Sequence, residues 1–531
     1  MLSNVKDKFT GTPIHLDPIM LNTNRLNSIL MYFIKPIFSK LRLISFLSFF
    51  IISQNVHAII RAGVAKLDIT DRTAGLVNDP LYVKALVLDN GLIKMAIITL
   101  DVVALEEIGP LKEGYLSKVR SQIHKELNIP ASNILINASH CHGIVRADTD
   151  SLTVLAVKEA MKNLVPVSVG AGIGYENRIM ENRRYKMKDG SQTDARRAYS
   201  LPPDNDIAEV GPTDPQIGIF RLNKLNGETL AVLYNFAVHP IQGVPNGGNT
   251  ADIIGFASKV IEDNLKGSMA LFLQGCGGDI NPVNYKGIDN PTDAEPLGNM
   301  LGFSVLNALQ RIKTVNHSEI NVFNEYLELP RANFAERITT LEAEQKRILN
   351  SLKGTNINLK TFIALNTKYT YDSGYPSFYK QRYMQEGKQN RIDMIRMDSI
   401  NRRDMENYRS NIYMMDRLTR IRENLSLVKM HQLKSSGAKM IKVEILGVKI
   451  GNMQLITFPG ELTVQLGLNI KKSAPNENTF IAAYTNGYIY YAPTAEQLRN
   501  TGEAQEDSDT NLAPEWQLIF ENKVAEILRK L

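Results

Sequence analysis

Asn137-Ala138-Ser139-His140-Cys141-His142-Gly143 follows the apolar run 133–136 and carries two of the eight histidines in 531 residues. The run is short and apolar and comes after Asn128 and Pro130, so it reads as a strand. Successive side chains of an extended chain alternate faces, so His140 and His142 would share one side and Cys141 the other. Two imidazoles at a strand end, with Gly143 letting the chain turn, make half of a metal site. Two solvent-facing loop histidines are the competing reading, and the spacing alone leaves both open.

Working outward, residues 92–103 form an apolar run too continuous for an exposed strand, with Asp101 near its end. Residues 111–127 have helical spacing, and Asp148 or Asp150 could cap a helix over 152–164 that Pro166 stops. Strand, helix, strand, helix is an α/β pattern. A strand at 167–174 precedes a polar stretch with Asn182-Arg183-Arg184. Residues 217–222 and 230–238 read as a hairpin across Asn226-Gly227, ending in His239-Pro240. The run 270–274 leads into Gly275-Cys276-Gly277-Gly278-Asp279-Ile280-Asn281-Pro282, whose glycines permit close backbone approach. Residues 443–458, with a turn at Gly451-Asn452, end in Pro459-Gly460-Glu461. The run 480–484 leads to Tyr488-Ile489-Tyr490-Tyr491.

Between these β-rich halves, residues 331–436 are rich in Arg, Lys, Glu, Met and Asn, with helical stretches at 334–352 and 402–427. They read as a helical insertion whose charges form a solvated face, a partly disordered or partner-binding region being the alternative. The expected fold is therefore α/β, with mixed β-sheets flanked by helices in one large domain over 59–531. At the N-terminus, Lys35, Lys40 and Arg42 precede or open the apolar run 41–52, which Val56-His57-Ala58 follows. This is the order of a signal peptide over 31–58, behind an upstream extension over 1–30, and it implies a secreted or periplasmic protein; an N-terminal membrane anchor is the alternative.

Hydrophobic residues make up 44% and charged residues 22%, and the net charge is +6, ordinary for a soluble enzyme-sized chain. Lys and Arg are dispersed, without the basic aromatic platform of a nucleic-acid binder. Two cysteines exclude a disulfide framework, although one bridge between them is possible. A Cys141 thiol nucleophile is disfavoured, since on a strand it faces away from both neighbouring histidines.

Strand ends thus offer His140 and His142, His239, Glu461 and a tyrosine cluster, a ligand set suited to Zn2+. Asn-Ala-Ser-His-Cys-His-Gly, Phe-Ala-Val-His-Pro, Gly-Gly-Asp-Ile-Asn-Pro, Pro-Gly-Glu and Tyr-Tyr-Ala-Pro-Thr follow the order and rough spacing seen in the neutral/alkaline, non-lysosomal ceramidases, which the chain resembles. The stretch 62–70 resembles that family's domain opening, and the likeness spans most of 59–330 and 437–500. The resemblance implies a catalytic domain with zinc held by His140, His239, Glu461 and Tyr491, Tyr488 and Tyr490 being local competitors for the last place. It makes His142 a substrate- or proton-handling group and Arg183 a substrate contact, with Arg184 the alternative. Asp101, Asp279 and Asn281 become supporting polar residues.

The implied reaction is zinc-dependent hydrolysis of a ceramide-like lipid amide, with association at a membrane surface and no nucleic-acid partner. Three departures stand out. Asn281 replaces the family's serine, a second tyrosine about a dozen residues after Tyr491 is missing, and no C-terminal immunoglobulin-like domain is expected. The competing expectations are a zinc hydrolase of another N-acyl lipid or envelope amide, and a non-catalytic binding protein on the same scaffold.

Overall fold

Side chains along the first strands alternate between two buried sets, and that alternation builds the layers. In the computed structural model, β1 (Arg61–Asp68), β2 (Tyr82–Asp89) and β3 (Lys94–Leu100) pair antiparallel in order. Helix α1 (Tyr115–Leu127) crosses over, and β4 (Ile134–Ala138) returns parallel to β3. Helix α1 begins later than its apolar spacing suggests, because Gly114 at its N-cap sits at φ 87° and breaks the helical backbone there. Helix α2 (Thr149–Lys162) follows, with Asp148 at its N-cap; that carboxylate accepts hydrogen bonds from Arg146 and makes no side-chain cap.

The structure describes residues 59–195, 202–243, 248–285, 293–371, 385, 388–389, 393–500 and 504–531; the proposed leader and upstream extension lie outside them. After β5 (Val165–Tyr175) come four short strands, β6 (Met180–Asn182), β7 (Arg184–Met187), β8 (Gln192–Asp194) and β9 (Ile207–Val210). The expected hairpin forms from β10 (Gln216–Lys224) and β11 (Thr229–Phe236), with Gly227 at φ 90° in its turn. Helix α3 (Asp252–Asn264) leads to β12 (Met269–Gln274), parallel to β11. The result is one mixed sheet of order β12-β11-β10-β5-β1-β2-β3-β4.

The short strand β13 (Ile280–Pro282) pairs with β6, and helix α4 (Glu295–Leu309) follows. A second sheet then opens with β14 (Ile320–Pro330). The chain leaves it for helices α5 (Ala335–Ser351), α6 (Leu359–Tyr371) and α7 (Asp393–Ser435), and returns as β15 (Met440–Ile450). Pro330 faces Met440 and Ile320 faces Ile450, so the helices are inserted at the end of one antiparallel ladder. Phe334, Leu341 and Ile348 on α5 and its entry recur every seventh residue; they share a core with Leu418, Ile421, Leu425 and Val428 of α7. Helix α7 is longer at both ends than the stretch 402–427.

β16 (Met453–Thr457), β17 (Glu461–Leu462), helix α8 (Val464–Ser473), β18 (Thr479–Ala482), β19 (Tyr491–Ala492), helix α9 (Ala495–Arg499) and helix α10 (Trp516–Lys530) complete the chain. The second sheet has the order β14-β15-β16-β18. Leu86, Leu88, Met95 and Ile97 of the large sheet share a core with Leu446, Val448, Leu455 and Phe480 of the small one. The alternate residues Val83, Ala85 and Val87 pack instead with Val154 and Val157 of α2. Helices α3 and α4 cover β10–β12 on the same side. The layers are therefore helices, large sheet, small sheet and α10. Among the described residues no helix is long and apolar enough to cross a membrane.

Helix α10 supports the strand that delivers Glu461. Phe458, three residues before it, lies 5.4 Å from the Trp516 ring and 4.8 Å from that of Phe520. All three rings are fully buried. Phe520→Ala should cost about 3–5 kcal/mol of stability. Urea unfolding followed by the fluorescence of Trp516, the sole tryptophan, measures it.

Candidate metal centre and active site

Strand β4 ends at Ala138, and the chain beyond it is not extended. Ser139 N–H reaches Leu100 O and His140 N–H reaches Val102 O, while His140 takes a left-handed φ of 68°. Strict alternation therefore does not govern residues 139–143, which corrects the strand reading. The outcome is nevertheless similar. His140 and His142 both line one cavity, with ring centroids 5.7 Å apart, whereas Cys141 is fully buried in the core. Left-handed backbone at a non-glycine residue is costly and needs surrounding structure to hold it. Tyr484, Asn486 and Tyr490 share that conformation near this centre.

His239 follows β11, its N–H bonded to Ile280 O. Glu461 opens β17, and its register partner on β19 is Tyr491. His140 Nδ1 lies 2.6 Å from Val103 O, and His239 Nδ1 lies 3.1 Å from Ile280 O. A carbonyl accepts only, so each Nδ1 carries the hydrogen, and in the neutral ring each Nε2 presents its lone pair inward. Those Nε2 atoms lie 3.5 and 3.2 Å from the same oxygen, Glu461 Oε2. His239 Nε2 is buried and makes no hydrogen bond. Lone pairs turned on a carboxylate oxygen repel one another unless a cation sits between them. One ligand atom from each of these three buried residues lies within 4.8 Å of the others, so the group could hold a metal ion.

The Glu461 carboxylate is held by two tyrosines: Tyr484 donates to Oε2 at 3.0 Å, and Tyr488 donates to Oε1. Burial favours its neutral form, but facing His140, then His239 and the Tyr488 hydroxyl, hold it well below the usual carboxylate range. Burial pushes His140 down to about 4, against the pull of Glu461, leaving the neutral imidazole that a metal requires. The sequence pattern had placed tyrosines near the centre without separating their tasks. Tyr488, a local competitor of Tyr491, anchors the carboxylate. Tyr484 went unnoticed inside an apolar strand end.

The centre lies in a cavity of about 730 Å³ lined by His140, His142, Arg183, His239, Glu461, Tyr488 and Tyr491, among others. Arg183 donates to Tyr491 Oη at 3.1 Å, Gly278 O at 2.8 Å, Asn281 Oδ1 at 3.4 Å and Glu506 Oε1 at 2.7 Å. Arg184 turns away, its Nη2 donating to both oxygens of Asp507 at 2.9 Å, and Arg183 is the arginine that lines the cavity. Glu506 and Asp507, in the segment where the second tyrosine was sought, are fully buried partners of these arginines. Charge spacing alone could not reveal them, because the partners lie over 300 residues apart in the chain.

The supporting acids act at a distance. Asp279 accepts the Val464 N–H at 2.8 Å and Asn182 Nδ2 at 3.2 Å, joining the start of α8 to β6. Asp101 accepts the Tyr82 N–H at 2.8 Å and does not line the cavity. Burial raises both to about 6. Asn281 meets the cavity only through Arg183. Cys141 and Cys276 are buried free thiols, not a bridge.

No protein-family model matches the chain, and no curated protein sequence matches it. Solved structures do. The fold is similar to that of a neutral ceramidase from Pseudomonas aeruginosa, with a TM-score of 0.57 at 16% identity over 89% of this chain and 74% of that one. It is also similar to a ceramidase complexed with C2, with a TM-score of 0.56 at 15% identity over 89% and 75% of the two chains. The chain has the neutral ceramidase fold, as the sequence resemblance implied.

The pKa of His140 gives a test without metal. Between about 6.5 and about 4 the unfolded chain binds a proton that folded His140 refuses, so its contribution to stability falls as pH is lowered through that window. Asp79, Asp101, Asp279 and Asp507, which burial raises to about 6, act with the opposite sign, the folded state protonating first. The difference between wild type and His140→Gln therefore reports the histidine together with its pull on Glu461, and both act in the same direction. In chelator-treated protein the variant should lose less stability than wild type from pH 6.5 to 4, measured by urea midpoints.

Proposed function

We propose that this chain is a zinc-dependent amide hydrolase that cleaves an N-acyl sphingosine-type amide into fatty acid and amine. The observation that carries the reading is the buried group of His140, His239 and Glu461, with an unpartnered Nε2, at the floor of a cavity that Arg183 also enters. The similar ceramidase structures support the choice of reaction. In this reading Tyr491, the register partner of Glu461, is the fourth ligand. When bound, Zn2+ supplies the Lewis acidity that makes water a usable nucleophile near neutral pH.

The protein's own groups supply the rest. Arg183 is fixed by four partners and needs little rearrangement to donate a hydrogen bond to charge developing on the carbonyl oxygen. His142, on the exposed side of the cleft, holds the proton that the departing amine nitrogen needs. Val103, Ile108 and Ile144 are shared between the main cavity and an adjoining, mainly apolar hollow of about 470 Å³, which suits an acyl chain. At the mouth, Leu76 and Ile144 are 80% and 45% exposed, a rim suited to substrate drawn from a membrane surface. Export to the periplasm or medium belongs to the same reading.

Three variants measured together test it. His140→Ala should abolish both stoichiometric zinc and release of fatty acid from ceramide. His142→Ala should keep the zinc and lose about 100-fold in kcat. Arg183→Met should keep the zinc and lose about 100- to 1000-fold. Turnover confined to other acyl amides would change the substrate, and stoichiometric zinc with no turnover on a broad amide panel would make the protein a binder. Equal zinc loss in the two histidine variants would make both residues ligands.

A further inference from the structure

The helical insertion reaches the cavity wall through one buried histidine. His431, near the end of α7, is 2% exposed, and its Nε2 lies 2.8 Å from Asp509 Oδ1. Its Nδ1 lies 3.2 Å from Asn511 Oδ1. The orientation of that amide is fixed, because Oδ1 also accepts from Arg331 at 3.1 Å and Nδ2 donates to Ile489 O at 3.3 Å. Both ring nitrogens of His431 therefore face acceptors, Asn511 Oδ1 and the Asp509 carboxylate, and the ring holds both when each nitrogen carries a hydrogen, as an ion pair with Asp509. On the main chain, Asp509 O accepts the Tyr491 N–H at 3.0 Å, which ties Asp509 to the strand paired with Glu461. Arg337 of α5 holds the same segment from behind, donating to Asp507 O at 2.6 Å and to Ser508 Oγ at 2.8 Å.

Asp509 lines the cavity, yet the proposed reaction does not use it. Among the described residues its second oxygen accepts no hydrogen bond. Arg183 does not occupy it, having Glu506 as its carboxylate partner. Val103, Ile108 and Ile144 are shared with the apolar hollow, whereas Gln505 and Asp509 line only the main cavity. An amide with its acyl chain in the hollow places its amine half toward the polar segment.

We propose that Asp509 is the residue that recognises a hydroxyl group on the amine half of the substrate, and that His431 is the positioning residue that aims it. The proposal rests on the amide-hydrolase reading above, whose sphingosine-type amine already carries hydroxyl groups, and adds the residues that read them. A carboxylate accepts strongly from a hydroxyl, gains nothing from a bare alkyl chain and repels a second carboxylate. Asp509 thus favours the amino alcohol of that reading over an alkylamine or an amino acid.

The test measures equilibrium binding of two fluorescent amides to the full chain after chelation, which prevents turnover. One is an N-acyl amino diol and the other an N-acyl alkylamine of equal length. Wild type should bind the diol at least about tenfold more tightly, and Asp509→Asn should abolish most of that ratio. His431→Ala should lower the ratio as well, and His431→Gln, which keeps an N–H donor, should restore part of it. A merely structural role would weaken both ligands equally; that result, or an undiminished ratio in Asp509→Asn, would overturn the proposal. Turnover by the zinc-loaded protein separates the two readings. If wild type hydrolyses neither amide, the reaction assignment fails and the binding ratio still judges Asp509. If it hydrolyses both and Asp509→Asn keeps the diol preference, the Asp509 assignment fails alone.

Discussion

Two imidazole lone pairs and a carboxylate oxygen are brought together in a dry interior, and much of the surrounding architecture serves to keep them there. None of the three could hold its position by attraction to the others without a proton or metal between them. Their positions are fixed from behind, by the carbonyls of Val103 and Ile280 on the histidines and by Tyr484 and Tyr488 on the carboxylate. The backbones are tied in turn. Asn137 donates to Ala483 O and Thr485 Oγ1 and accepts the Gln274 N–H, stitching three chain segments beneath the centre. Gly278 lets two backbones close: a Cβ there would lie 2.7 Å from Glu461 O. Preorganisation of this kind is what a metal or a transition state exploits, since no reorganisation remains to be done at binding.

The second demand is charge. A buried Arg183 beside a group that could hold a cation would be unfavourable alone, and Glu506 answers it directly. Glu506 also lies near Arg184, which pairs with Asp507, so two arginines and two acids form one desolvated cluster. Burial pulls each acid toward its neutral form. The two arginines nevertheless hold Glu506 below its ordinary range, while Asp507 is left near 6. Removing one member leaves an unanswered charge in the interior, a larger penalty than the loss of a surface pair. The insertion helices then clamp this segment from outside, through Arg337 and His431.

Much of the fold was legible because burial follows the strand period. The runs at 92–103, 270–274 and 443–458 are strands for the reason their apolar patterns suggested, and the Asn226-Gly227 turn is a local signal. His140, His239 and Glu461 stood out as polar groups at the ends of apolar runs. Their convergence, by contrast, is set by long-range strand order, which only resemblance to a known family could supply. Local backbone at His140 was misread, because nothing in Ala-Ser-His announces a left-handed residue. Glu506, Asp507 and Asp509 do not stand out in the sequence, since an acid's partner far along the chain leaves no trace in spacing. Asp101 was singled out for being an acid in an apolar run, and its carboxylate in fact answers a strand N–H.

The antiparallel ladder between Pro330 and Met440 also has a bearing on how such a chain can change length. Closing a loop across an existing ladder carries an entropic cost that grows only logarithmically with the loop, about 0.6 kcal/mol per doubling. The excursion through α5, α6 and α7 starts and finishes at adjacent residues of one sheet. Its far end could therefore lengthen, shorten or diversify with little effect on the stability of either sheet. The ends, where Arg331, Arg337 and His431 meet the 504–511 segment, are not free in this way. The same excursion thus joins a root held by side-chain contacts to an apex that new surfaces can occupy at little cost to the sheets.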